Sequence, residues 1–112
     1  MKGKVVLVRF PFTDLSGSKL RPALVIHESR ADVVLAFISS KVPTVPEDSD
    51  LVIPADHPEY PGTGLKVPSV IKFDKIATVE KGLVEGEIGE ISTVLREEST
   101  RILHRIFAFK RG

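Results

Sequence analysis

The chain contains no cysteine. That single absence excludes a disulfide framework, a thiolate zinc site and a cysteine nucleophile, and it suits a reducing compartment. Also missing is any run approaching the roughly 20 consecutive apolar residues that a membrane-spanning helix needs. Met1 to Pro11 pass directly into a strand pattern rather than a leader peptide. The expectation is a soluble, unprocessed, cytoplasmic chain with no membrane association. Nor is there an excess of charge of one sign: 16 Lys and Arg against 15 Asp and Glu leave a formal net charge of +1. The strong overall field of a polybasic nucleic-acid binder is thereby ruled out, and any site for a polyanion must be local. No internal repeat or low-complexity tract interrupts the 112 residues, a length that suits one domain, taken as 1–112. A domain this small leaves much of its surface exposed, so a partly apolar contact between two copies is an economical way to bury more.

What is present reads mainly as short strands. Val5 to Val8 with Phe10 and Phe12 form a β-branched and aromatic run, closed by turn chemistry at Asp14-Leu15-Ser16-Gly17-Ser18. After Arg21-Pro22, Ala23 to Ile26 and Val33 to Ile38 read as two strands joined by the charged turn Glu28 to Asp32, spaced for an antiparallel hairpin. Leu51-Val52-Ile53, bounded by prolines, reads as a short edge strand. Residues Ala55 to Pro68, with Pro58, Pro61, Gly62 and Gly64, form the longest irregular segment. Val70 to Phe73 and Ile76 to Val79 flank Asp74-Lys75 as two strands or one bent strand, and Glu87 to Ile91 alternates as a half-exposed strand does. The period then changes. Leu95, Ser99, Ile102, Leu103, Ile106 and Phe107 fall on one helical face, Ser92 or Thr93 can cap the start, and Arg101, Arg105, Lys110 and Arg111 lie late, as the helix dipole prefers. The pattern predicts a mainly β fold, a small antiparallel barrel with one C-terminal amphipathic helix.

Few residues carry chemistry. Arg21 stands where a polar loop meets a buried strand, with Pro22 restricting the backbone around it. Its planar fork can hold two phosphodiester oxygens and offset the charge of a pentacovalent transition state; the competing reading is an ion pair at a strand entrance. Ser39 and Ser40 end a strand, where a hydroxyl either donates to a phosphate oxygen or only forms a turn. Lys72 and Asp74 alternate along a strand and so share a face, as a catalytic cation and carboxylate or as a plain cross-strand ion pair. Cleavage of RNA by its own ribose hydroxyl needs a base for the 2′-OH, an acid for the 5′-oxygen and positive charge on the phosphate, and these residues can divide those tasks. There is no G-x-S-x-G elbow, and His27, His57 and His104 have no metal-ligand spacing, so neither a metal nor another cofactor is expected.

Taken in order, these residues resemble the MazF/PemK family of toxin endoribonucleases. The stretch K-G-K-V-V-L-V-R-F-P-F-T-D-L-S-G-S-K-L-R-P-A-L-V-I is similar to that family's opening signature. Ile38-Ser39-Ser40 resembles its next strand end, and Ser69 to Val79 its later strand pair. The resemblance implies a homodimeric Src-homology-3-like barrel, of the kind shared with CcdB, that cleaves single-stranded RNA without metal. It implies a cognate antitoxin that blocks the RNA surface and binds DNA together with the toxin, so that free toxin inhibits translation and growth. Carried over position by position, it makes Arg21 the principal catalytic residue, Ser39 a helper, and Lys72 and Asp74 acid-base residues. RNA contacts are then expected from Phe12, Thr13, Ser16, Ser18 and Lys19 in the loop and from Ser40 and Lys41 after the third strand. Departures from the family pattern are Lys4 in place of an acidic residue, Ser39 in place of threonine and Lys72 in place of arginine; a lysine makes no bidentate phosphate clamp. Two other readings stay open: a non-enzymatic, CcdB-like toxin that binds a protein target such as DNA gyrase, and a catalytically silent interaction module.

Overall fold

Val5, Val6 and Val8 are all fully buried, although neighbours along a strand point to opposite faces. The sheet that holds them must therefore be covered on both sides. In the computed structural model, which describes residues 1–10 and 19–110, the strands are β1 (Lys4–Phe10), β2 (Lys19–Glu28), β3 (Asp32–Ser39), β4 (Asp50–Ile53), β5 (Ser69–Glu80) and β6 (Val84–Glu90), followed by α1 (Thr93–Phe107). They form one sheet in the order β4-β5-β3-β2-β1-β6, with every neighbouring pair antiparallel. The two edges are not paired with each other, so the sheet is open and only loosely a barrel. Its edges are nonetheless linked. The connection from β4 to β5 carries a short 3-10 helix, Pro61–Thr63, that lies against β6 at the far side of the sheet.

One core contains Val5, Leu24, Ile38, Phe73, Leu95 and Ile102 and is covered by α1; the other contains Val6, Val8, Ala23, Val25 and Leu35 on the opposite face. Alternate residues of β1, β2 and β3 feed the two cores, which is why these strands read as continuous apolar runs rather than as strict alternation. Ser92 caps α1 by accepting the Leu95 N–H at 3.4 Å, a contact whose loss typically costs about 1 kcal/mol. Leu95, Ser99 and Ile102 turn inward as expected from their spacing, but Phe107 is 56% exposed. It is the last helical residue, and Ile106 packs against the core in its place.

Two local departures bear on function. β2 begins at Lys19, ahead of the Arg21-Pro22 doublet, so Arg21 lies inside a strand rather than at its mouth. Pro22 is tolerated there because it pairs with Leu7 of β1 while pairing with β3 starts only at Ala23; a residue without an N–H needs such a one-sided position. The second departure is in β5, which is a single strand with a bulge. Lys72 pairs with Phe37 and Ile76 with the adjacent Ala36, leaving Phe73, Asp74 and Lys75 opposite no residue of β3. A bulge of this kind breaks alternation and re-aims side chains.

Candidate functional site

Two rows of cross-strand partners decide which side chains meet. In the first, Asp50 of β4 lies opposite Lys72 of β5, Lys72 opposite Phe37 of β3, and Phe37 opposite Ala23 of β2. In the second, Val52 lies opposite Val70 and Val70 opposite Ser39, while Arg21 pairs with Val8 of β1. Arg21 lies two residues before Ala23 and Ser39 two after Phe37, the end pair of the β2 to β3 ladder, so both continue the face of that pair. Residues directly opposite, and residues two apart on one strand, share a face. Three strands thus deliver Arg21, Ser39 and Lys72 to the same side of the sheet.

They line one cleft of about 750 Å³. Ser40 and Lys41 join them, as do Lys66 and Lys75. The opposite character comes from Leu7, Leu20, Pro22, Phe37, Leu65 and Val67, which give the cleft an apolar wall. Arg21, Lys41, Lys66, Lys72 and Lys75 all line it and, among the described residues, no Asp or Glu does. On a chain of net charge +1, these five side chains make a local cationic cluster, as the charge balance required of any polyanion site.

Arg21 is exposed, and its guanidinium has no ion pair or hydrogen bond among the described residues. Among the described residues, no carboxylate ties this arginine down at the strand. Ser39 is half-buried, and its Oγ accepts the N–H of Lys41 at 3.1 Å. With its oxygen engaged by that turn, the hydroxyl proton is left to donate into the cleft. Lys72 donates from Nζ to Asp50 Oδ1 at 3.0 Å. The Asp50 side chain is 1% exposed, and its Oδ2 accepts the N–H of Glu47 at 2.9 Å. Burial pushes this carboxyl upward, but the Glu47 N–H, the Lys72 hydrogen bond and the charges of Lys72 and Lys75 outweigh it and hold Asp50 below the usual aspartate range.

Simple alternation would set Asp74 beside Lys72. Because of the bulge, Asp74 is exposed and does not line the cleft, whereas Lys75 does. Lys19 is exposed at the start of β2, opposite Phe10, and does not line it either. Phe12, Thr13, Ser16 and Ser18 lie outside the described residues. Sequence reasoning missed Asp50, Lys66 and Lys75. Asp50 and Lys66 lie at the ends of proline-containing segments whose position depends on long-range pairing, and Lys75 owes its direction to the bulge. Among the described residues, no group of His, Asp and Glu side chains is placed to hold a metal ion, and no helix is long and apolar enough to cross a membrane.

An open antiparallel sheet with one terminal helix and a cationic, half-apolar cleft defines a MazF-like class of small β protein. Solved structures share this architecture. The Mycobacterium tuberculosis toxin MazF-mt6 matches with a TM-score of 0.73 at 17% identity, over 96% of this chain and 99% of that one. A mycobacterial endoribonuclease in complex with its cognate antitoxin matches at 0.71 and 17%, over 100% and 98%. The MazE-MazF structure from Deinococcus radiodurans matches at 0.69 and 18%, over 97% and 95%. At these identities the likeness is one of fold. No curated protein matches the chain by sequence. Residues 1–107 match the family model of the PemK-like, MazF-like toxins of type II toxin-antitoxin systems, and the chain belongs to that family.

Proposed function

We propose that this toxin is a metal-independent endoribonuclease that cuts single-stranded RNA within the cleft. The observation that carries the reading is the convergence of Arg21, Ser39 and Lys72 from β2, β3 and β5 on one open, cationic cleft. An unpaired strand offers phosphates to the cations and splayed bases to apolar surface, and the wall formed by Leu20, Pro22 and Val67 suits the second part. In the scheme, Arg21 grips the scissile phosphate in two places and stabilises the charge that builds as the 2′-oxygen attacks phosphorus. Ser39 donates its hydroxyl proton to a phosphate oxygen, and Lys72 adds a second positive charge. The bond from phosphorus to the 5′-oxygen breaks; water takes the 2′-OH proton and returns one to the leaving oxygen. The products carry a 2′,3′-cyclic phosphate and a 5′-hydroxyl. Asp74, exposed outside the cleft, has no part in this scheme.

The same reading makes the chain a single-domain cytoplasmic homodimer, with a cognate antitoxin that occupies the cleft and excludes RNA. A relative bound to its cognate antitoxin supports that partner class. To test the reading, purified protein is incubated with mixed-sequence RNA in excess chelator. Cleavage with cyclic-phosphate ends is expected, and Arg21→Ala is expected to lower kcat by about a hundredfold or more, the scale for removing one such charge-stabilising donor. Arg21 is exposed, so the variant's circular dichroism and melting temperature should match those of the parent. Unreduced cleavage by Arg21→Ala, or no cleavage by the parent, overturns the proposal.

A further inference from the structure

Asp50 is the only charged residue buried among the described residues. A buried carboxylate is costly unless it is paired and hydrogen-bonded, and even a paired one is commonly no more stable than an apolar replacement. Fold stability alone is a poor reason for it. Its placement is more informative. The carboxylate sits directly across the β4 to β5 ladder from Lys72, the cleft-lining lysine it binds at 3.0 Å. The turn before it is tied on three sides. Asp50 N–H donates to Glu47 O at 3.0 Å, Phe73 N–H to Ser49 O at 2.9 Å, and Arg105 Nη2 of α1 to Asp48 O at 2.8 Å. Such bracing fixes where the carboxylate can be.

We propose that Asp50 is a positioning residue, which holds the Lys72 ammonium at the cleft wall so that this cation meets the phosphate gripped by Arg21. The inference rests on the ribonuclease reading and deepens it, by giving Lys72 a partner other than Asp74. A lysine side chain is a long flexible stem, and ordering it in advance removes that cost from the reaction. An ammonium has three donors. One is spent on Asp50, and two remain for substrate oxygens.

The test is a double-mutant cycle of RNA cleavage with Asp50→Asn and Lys72→Ala. Asparagine keeps an acceptor for the Glu47 N–H but loses the charge. Asp50→Asn is expected to lower kcat about tenfold to a hundredfold, the range in which misplacement by an ångström acts, with KM changed by less than about threefold. In the Lys72→Ala background the same substitution is expected to change kcat no further. Full kcat in folded Asp50→Asn, or equal losses in both backgrounds, overturns the inference, because a merely structural role would act whether or not Lys72 is present.

A second measurement uses the unaltered protein. Under reductive methylation followed by mass spectrometry, Lys72 should react several-fold more slowly than Lys41, Lys66 and Lys75. Equal reactivity overturns the inference, and this readout decides the matter if Asp50→Asn does not fold. Failure of the ribonuclease reading is visible separately, as absence of cleavage by the parent protein.

Discussion

A serine hydroxyl has one proton to give, and it keeps that proton while its oxygen accepts a hydrogen bond. At Ser39 the oxygen accepts the Lys41 N–H, and the hydroxyl keeps its proton to donate to a group in the cleft it lines. A hydrogen bond from it to a charged phosphate is worth about 1.5–3 kcal/mol. Ser39→Ala is therefore expected to lower kcat/KM by about tenfold to a hundredfold, since each 1.4 kcal/mol is a factor of ten. Ser39→Thr keeps the hydroxyl and, with threonine's branched Cβ favoured in a strand, should retain activity within about threefold. Cleavage assays on the two variants check this, and equal loss in both would assign Ser39 to packing alone. The serine was legible in the sequence because a strand end is a local signal, as was Arg21 through its proline neighbour. The ion pair between Asp50 and Lys72 was not. It depends on the register of two strands separated by a long irregular segment, and no local pattern encodes register.

Elements are joined here by glycine backbone. Gly64 ends the 3-10 helix at φ 71°, a left-handed conformation that disfavours any side chain, and a Cβ on it would also strike the Ile88 backbone. A Cβ on Gly89 of β6 would run into the backbone of Gly62 and Thr63. This close approach seats the β4 to β5 connection, which then delivers Leu65, Lys66 and Val67 to the cleft. Gly64→Ala and Gly89→Ala are each expected to destabilise the fold by about 1–3 kcal/mol. Gly86→Ala, whose Cβ meets nothing within 4 Å, should stay within about 0.5 kcal/mol. Urea unfolding of the three variants measures the difference; three equal values would mean that the seating does not matter. Strand periodicity and proline boundaries announced the elements themselves, including the edge strand β4 and the helix. The interruption at Asp74-Lys75 was legible as a bend in β5, but its effect on which side chains face the cleft was not, because only pairing with β3 shows Phe73, Asp74 and Lys75 to be surplus.

For the molecule as a whole, acid sensitivity follows from two carboxylates that tie distant parts of the chain. Glu28, at the end of β2, accepts from Lys81 at 2.8 Å and from the Met1 amino group at 2.7 Å. The Lys81 hydrogen bond, followed by that of the Met1 amine, lowers it from 4.5 to about 2 against the opposing effect of burial. Asp50 is lowered as well: its burial is outweighed by the Glu47 N–H and the neighbouring lysines. A carboxyl whose folded value is depressed binds its proton more readily in the unfolded chain, so its stabilisation is fully present above the unfolded value. As pH falls through 4.5 toward about 2, Glu28 loses that contribution, and Asp50 does so over its own lowered range. The denaturation midpoint should therefore be flat from pH 7 to about 5 for these groups and fall steadily below that. Glu28→Gln should lower the midpoint at pH 7 and flatten the acid slope, because glutamine has no proton to bind in this range. Urea titrations of parent and variant at pH 7, 5, 4 and 3 decide it. Parallel pH profiles would show that the link between β2 and Lys81 carries none of the acid response.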